Sequence, residues 1–232
     1  MPATLSSPPV FDSPWRIGLR GARANLRPGL ALQAGALALA LAYYYHGGTR
    51  DLLSRLSAWR VETGYAFSFF STAFFGAVLP LFYLWANPAT RSRYHAGQRA
   101  AILAFWAYKG VEIDALYRLM AFLFGTGHDA GTIAVKTFFD QFVYCPFFAV
   151  PVTVLVYEWI ESRFDRRAVL ADVRAGGWYR RRGMAVLISS FGVWLPAVCI
   201  IYALPTPLQL PLQNLVLCFY TLLVAHVTAR KT

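Results

Sequence analysis

Four ionisable residues lie close together in an otherwise apolar stretch of the chain, residues 100–125. Lys109 and Glu112 are three positions apart, and Asp114 and Arg118 are four apart. Side chains at these spacings are neighbours on a helix. A lone charge inside a membrane is costly unless it is paired or faces water or protein. The spacings therefore predict two ion pairs on one membrane-embedded helix.

The two pairs point to nearly opposite sides of that helix, so one narrow pore cannot be lined by both. Asp114 and Arg118 are expected to hold the helix in place, because an i, i+4 pair satisfies itself along one face. Lys109 and Glu112 are then the candidates for a solute path, since the single charge of lysine is the easier one to modulate.

A second set of polar residues occurs later in the chain, again within apolar surroundings. Lys136 and Asp140 are one helical turn apart and are expected to pair, with Gln141 beside the aspartate and Tyr144 one turn further on. Asn214 leads a weaker polar stripe near the C-terminal end. Two hypotheses fit these residues: structural ion pairs within a helix bundle, or a hydrophilic path for a small solute or ion.

The sequence contains no recognisable enzyme motif. Its four histidines are scattered, and Cys145, Cys199 and Cys218 all lie in apolar segments without a C-x-x-C pair. Buried cysteine most often acts as a small hydrophobic residue. There is no Gly-rich phosphate loop and no G-x-S-x-G nucleophile motif. We therefore expect no catalysis, no metal site and no cofactor. An intramembrane enzyme would need a nucleophile–base pair that the sequence does not offer.

The composition indicates what must position these polar groups. Hydrophobic residues make up 57% of the 232 and charged residues 14%, against about 45–50% and about 25% in soluble domains. The missing charged surface indicates that lipid covers much of the protein. The net charge of +11 comes from short basic runs between apolar stretches. That distribution favours contact with anionic lipid headgroups over nucleic-acid binding.

Six segments have the length and composition of transmembrane helices, which need about 20 apolar residues. They are residues 28–46, 63–85, 100–125, 133–159, 183–204 and 211–228. The third has an alternative interpretation as an amphipathic surface segment, because of its central charges. The sequence thus predicts an all-α, polytopic bundle with about six spans.

The basic residues between the segments favour six spans over five. With six, the N-terminal tail, residues 87–99, residues 160–182 and the C-terminal end share one side and hold most of the arginines. The opposite side receives residues 47–62, with three arginines, and two loops that have none. Cytoplasmic loops carry an excess of Lys and Arg, so both termini are expected to be cytoplasmic.

Residues 1–27 are interpreted as a basic tail that precedes one transmembrane domain, residues 28–232. Arg16, Arg20, Arg23 and Arg27 recur at a near-helical interval, a pattern typical of an interfacial helix or a mitochondrial presequence. Arginine strongly outnumbers lysine, and alanine is abundant. This composition favours a bacterial inner membrane over a mitochondrial one.

Small residues mark one face of the fifth segment at helical spacing: Ala185, Ser189, Gly192, Pro196, Cys199 and Ala203. Small faces let membrane helices approach closely, so we expect tight packing there, with a pore lining as the alternative. Four prolines lie inside apolar segments and are expected to kink them: Pro80, Pro146, Pro151 and Pro196.

The fourth segment resembles a known motif. Lys136, Asp140, Gln141 and Pro146 are similar to the lysine–aspartate–glutamine–proline motif of the Mpv-seventeen-like family of peroxisomal and mitochondrial inner-membrane proteins. Trp194-Leu-Pro followed by Tyr-Ala-Leu-Pro resembles that family's next signature, although a leucine separates the tryptophan from the proline here. The resemblance extends over residues 136–228 and implies a distant, bacterial relative without catalysis. A channel for small solutes has been suggested for the family.

The first functional hypothesis is therefore a channel or channel-like membrane protein. The second is a structural or scaffolding membrane protein in which the same charged groups only hold helices together. The expected partners are the lipid bilayer and an unidentified small solute or ion. The sequence is compatible with a homo-oligomer.

Overall fold

The computed structural model describes residues 13–229, without the side chains of residues 14, 17, 24, 25, 27, 28 and 223–229. Within that range the chain forms eight helices and no strand. They are α1 (Pro14–Tyr45), α2 (Gly47–Thr63), α3 (Tyr65–Ala86), α4 (Ala96–Phe124), α5 (Ala130–Glu161), α6 (Arg166–Arg174), α7 (Tyr179–Tyr202) and α8 (Thr206–Ala229). The all-α prediction is confirmed for the described residues.

Three of these helices are long and apolar enough to cross a membrane, namely α3, α5 and α7. The apolar part of α1, Gly29–Tyr45, is shorter. The charged third segment of the sequence lies in α4, a single 29-residue helix about 43 Å long at 1.5 Å per residue. These helices support the assignment to membrane proteins.

Contacts at two levels fix the direction of neighbouring helices. Helices α3 and α4 are antiparallel, with contacts Ser68–Asp114 and Gly76–Trp106, and so are α4 and α5, with Glu112–Tyr144 and Gln98–Ile160. Helices α5 and α7 are antiparallel through Asp140–Tyr202 and Glu158–Arg182. Helices α7 and α8 are antiparallel through Leu204–Gln209 and Trp194–Tyr220. Helix α1 runs parallel to α7, with Gly18 against Ile188 near their starts and Tyr44 bonded to the Ala203 carbonyl near their ends. The six long helices therefore alternate in direction along the chain.

Two regions expected to be loop or tail are helical. Residues 47–62, expected as a loop, form α2, which ends at Gly64, where a φ of +57° lets the chain turn sharply into α3. The part of the expected tail that the structure describes, from Ser13 onward, is helical and continuous with the apolar part of α1. Residues 1–12 lie outside the described range.

Proline coincides with widened helical turns in two of the helices. In α3, residues Phe74–Val78 form a π-helical turn just before Pro80. In α5, the π-helical stretch Phe139–Ala149 contains Pro146. Proline has no N–H and clashes with the carbonyl one turn earlier, and a wider turn relieves both problems. The expected irregularities at these two prolines are therefore present as π turns.

The largest cluster of buried apolar side chains joins α1, α3, α4, α7 and α8. Tyr117 of α4 packs edge-to-face on Tyr202 of α7 at its centre, with ring centroids 5.5 Å apart. Ala36 and Ala40 contribute the α1 side. The polar residues described next surround this cluster.

Candidate functional site in the helix bundle

Helices α3 and α4 approach closely because α4 has a glycine at their crossing. A Cβ atom at Gly110 would lie 2.7 Å from the side chain of Thr72 and would also meet the Ser68 carbonyl oxygen. Absence of a side chain at a helix crossing lets two backbones come together. This approach brings Ser68 within reach of Asp114, one turn further along α4.

The carboxylate of Asp114 is fully buried and receives donors from three directions. The Arg60 guanidinium of α2 and the Ser68 hydroxyl of α3 both donate to it, and Arg118 adds a bond of 3.1 Å within α4. Arg60 also donates to the Thr206 carbonyl at the start of α8, at 3.2 Å. We call Arg60, Ser68, Asp114 and Arg118 the Asp114 cluster; it ties four helices together.

Arg60, and not Arg118, is the buried cation of the Asp114 cluster. The side chain of Arg118 is 44% exposed, against 2% for Arg60. Burial lowers the pKa of the Arg60 guanidinium, and the adjacent Asp114 carboxylate opposes that shift. The expected Asp114–Arg118 pair is present, but the stronger structural role belongs to Arg60.

The second expected pair of α4 is also present. Lys109 donates to the Glu112 carboxylate and to the Tyr144 hydroxyl, the latter at 3.1 Å, and Tyr144 in turn donates to Glu112. The lysine ammonium lies 5.5 Å from the centre of the Tyr144 ring. These three residues link α4 to the widened part of α5.

Asp140 does not pair with Lys136, contrary to the sequence-based expectation. Its Oδ2 accepts from the Tyr202 hydroxyl at 2.9 Å, and its Oδ1 accepts from the Gln141 amide at 2.9 Å and from the Cys145 thiol at 3.7 Å. Lys136 instead lies 5.8 Å from the centre of the Tyr202 ring. Tyr202 of α7 thus contacts both Lys136 and Asp140, which do not contact each other.

Asn214 is buried and connects α8 to α3. Its amide donates to Ser71 at 3.0 Å, and its carbonyl oxygen accepts from Thr72 at 2.8 Å. The preceding residue, Gln213, accepts from the Tyr117 hydroxyl at 3.1 Å. The polar stripe expected on the sixth segment therefore joins helices, with Gln213 as a member that the sequence did not single out.

A cavity of about 490 Å³ lies among α3, α4, α5, α7 and α8. Its polar and aromatic wall residues include Trp106, Lys109, Tyr117, Asp140, Gln141, Tyr144, Thr153, Tyr157, Ser190, Trp194, Gln213 and Tyr220. Along α4 the wall extends from Ile102 to Tyr117, which is about 22 Å of helix. The cavity has the size of a small-molecule site.

The predicted residues divide between this wall and other places. Those on the wall are Lys109, Asp140, Gln141, Tyr144 and Pro80. Those that do not line it are Glu112, Asp114, Arg118, Lys136, Asn214, Pro146, Gly192, Pro196 and Cys199. The expectation that only one of the two α4 pairs faces an interior path fits this division, with Lys109 on the cavity side.

The small-residue face of α7 is turned toward α1, but its closest contacts come from α1 glycines. A Cβ atom at Gly18 would lie 2.7 Å from Ile188, and one at Gly21 would lie 2.8 Å from Ser189. At Gly192, by contrast, a Cβ atom would meet only open space, and the Gly192 carbonyl oxygen accepts from the Gln33 amide at 3.0 Å. Pro196 is exposed and Cys199 half-buried. The expectation of tight packing at Gly192 is therefore wrong.

Pro146 produces a specific polar contact. In a π-helical stretch a carbonyl oxygen accepts from the N–H five residues later, but for Pro146 that residue is Pro151, which has no N–H. The Val150 N–H donates to the Cys145 carbonyl oxygen, so the Pro146 carbonyl oxygen is left without a backbone donor. The Tyr179 hydroxyl at the start of α7 donates to this oxygen at 2.7 Å. The proline pair in α5 thereby fixes the start of α7.

Arg60 and Tyr202 are the main interior residues that sequence reasoning missed. Arg60 lies in a segment expected to be a loop, although the leucines of that segment, Leu52, Leu53 and Leu56, have helical spacing. Tyr202 belongs to a sequence motif, but a tyrosine at a helix end gives no signal of a carboxylate partner. Within the described residues no group of three metal-ligating side chains occurs.

Comparisons with known protein families, with curated proteins and with solved structures each find no match.

Proposed function

We propose that this chain crosses a membrane six times, through α1, α3, α4, α5, α7 and α8, with both termini in the cytoplasm. The alternating directions of these helices support the proposal, as does the distribution of arginine. One end of the bundle holds residues 16–23, 91–99 and 163–182, and these segments carry most of the arginines. Helices α2 and α6 then lie at opposite membrane surfaces.

Within that topology the protein passes a small solute through the cavity. The observation that carries this proposal is the separation of the polar interior into two parts. The Asp114 cluster holds helices together away from the cavity, whereas Lys109, Asp140, Gln141 and Tyr144 lie on its wall. Polar and ionisable groups inside membrane segments that face a cavity are typical of solute and ion pathways.

The resemblance to the Mpv-seventeen-like family leads to the same proposal, with a bacterial inner membrane as the location. Three of the four motif residues, Asp140, Gln141 and Pro146, lie in the widened stretch of α5. The first two are on the cavity wall. The motif therefore contributes residues to the proposed path.

Solute flux and conductance of the purified protein in lipid bilayers test the proposal. The informative variant is Lys109→Gln/Glu112→Gln, which removes the Lys109 charge from the cavity wall without stranding its buried partner. The matched control is Lys136→Gln, because Lys136 is a buried lysine that does not line the cavity.

We expect the wild type to conduct or to pass small solutes, the double variant to change rate or selectivity, and the control to match the wild type. A folded wild-type protein that passes nothing would overturn the proposal. The scaffold hypothesis would then take its place, with the Asp114 cluster as its main support.

A further inference from the structure

Asp140 differs from the other two buried carboxylates of this region in having no cationic partner. Glu112 is paired with Lys109, and Asp114 is paired with Arg60 and Arg118. Among the described residues, Asp140 receives hydrogen bonds only from uncharged groups, a phenol, an amide and a thiol. A buried charge without a direct partner is costly, so an ion pair with a ligand would stabilise this carboxylate.

The hydrogen bonds to Asp140 leave room for a ligand. A carboxylate has about four lone-pair sites, and the donors at Asp140 occupy three of them. Its Oδ2 atom accepts from Tyr202 alone. Because Asp140 lines the cavity, a molecule there can reach the remaining site.

Seven aromatic side chains lie on the cavity wall: Tyr94, Trp106, Tyr117, Tyr144, Tyr157, Trp194 and Tyr220. Indole and phenol rings attract cations through their negative faces, and cages of such rings recognise alkylated ammonium groups. The wall thus combines one carboxylate that has no ion-pair partner with aromatic rings that can bind an organic cation.

The cations near the cavity form no direct ion pair with Asp140. The ammonium of Lys109 is held by Glu112 and Tyr144. Arg93 pairs with Glu161 at 3.5 Å. Lys136 contacts the ring of Tyr202, not the carboxylate, and does not line the cavity. Of the three charged residues on the wall, Arg93, Lys109 and Asp140, only Asp140 forms no ion pair with a described residue.

We propose that the solute of this cavity is a small organic cation whose ammonium group binds at Asp140 among the tyrosine and tryptophan rings. This inference rests on the proposed function for transport but makes a separate claim about binding. The cavity volume of about 490 Å³ fits a ligand of choline size with room for a short substituent.

Binding is tested on the purified full chain in detergent by calorimetry, with choline and tetramethylammonium as probes. Dimethylbutanol, the uncharged carbon analogue of choline, controls for shape, and sodium chloride for ionic strength. The variant is Asp140→Asn, which keeps an acceptor for Tyr202 and removes the charge. Glu62→Gln, an exposed acid on α2, is the matched control.

We expect both cations to bind the wild type and the Glu62→Gln variant, and dimethylbutanol to bind neither. Asp140→Asn should weaken binding about tenfold or more, since a bond to a charged group is lost. If Asp140→Asn melts early, Tyr202→Phe provides a second variant. It frees a site on Oδ2 for the ammonium group and should strengthen cation binding, whereas unchanged binding would contradict the inference.

Equal binding of choline and dimethylbutanol, or of choline to wild type and Asp140→Asn, would overturn the inference, as would no binding of either cation. Vesicle uptake separates this result from the proposed function. Flux of an uncharged solute without cation binding would leave the channel proposal standing and remove the cation. Cation binding without any flux would remove the channel proposal and leave the cation inference standing.

Discussion

Arg60 of α2 and Asp114 of α4 form a buried ion pair between residues 54 positions apart in the sequence. The pair lies near the starts of α3 and α8, because Ser68 bonds to the same carboxylate and Thr206 accepts from the same guanidinium. It thereby fastens the short helix α2 to one end of the bundle. Substitutions at this pair and at the helix contacts around it test the arrangement.

Removing Asp114 should destabilise the protein strongly. Asp114→Ala leaves the Arg60 guanidinium buried without a counter-charge, and breaking one partner of such a pair costs about 3–5 kcal/mol. Arg118→Ala should cost under about 1 kcal/mol, because this side chain is 44% exposed and Arg60 still satisfies the carboxylate. Denaturant unfolding in detergent, followed by circular dichroism, measures both. Equal losses for the two variants would contradict a dominant role for Arg60.

The crossing of α3 and α4 should not tolerate a side chain at Gly110. Gly110→Ala places a methyl group against the Ser68 carbonyl and 2.7 Å from Thr72, and overpacking of this kind costs about 1–3 kcal/mol. Gly192→Ala is the control, since that position has open space. In a helix it should be neutral or stabilising by up to about 1 kcal/mol. The same denaturant unfolding experiment compares them, and a neutral Gly110→Ala would mean that the two helices are further apart.

The α4–α5 loop and α6 should lie on opposite sides of the membrane. In a chain whose three native cysteines are replaced by alanine, His128→Cys should react with an impermeant maleimide only from the outside of intact cells. Arg167→Cys should react only after the membrane is opened. Glu62→Cys, at the end of α2, should behave like His128→Cys. Labelling of His128→Cys and Arg167→Cys from the same side would remove α4 from the set of spanning helices.

The sequence alone was sufficient for the class of fold and for the two ion pairs within α4. Long apolar segments place the helices, because burial in lipid requires about 20 apolar residues in a row. The Lys109–Glu112 and Asp114–Arg118 pairs followed from spacing, since neighbours on one helix depend only on its geometry. The residues of α2 were the exception. Their three leucines have helical spacing but are too few to signal a span.

The tertiary structure decided which groups meet across helices. Lys136 and Asp140 have the spacing of a pair, yet Tyr202, 62 residues beyond Asp140, lies against both. Such a competing partner cannot be inferred from local spacing. Asp114 pairs with Arg60 because Gly110 lets α3 and α4 approach closely and the turn at Gly64 places α2 against the end of the bundle.

The cavity is likewise a property of the assembled bundle. Its wall takes residues from five helices, and the side of α4 that faces it depends on how α3, α5 and α8 pack around that helix. Periodicity gives the angle between Lys109 and Asp114 on α4, but not which of them faces the interior space. Long apolar segments located the helices from the sequence alone, whereas close packing between the helices determined which polar groups line the cavity and which hold the bundle together.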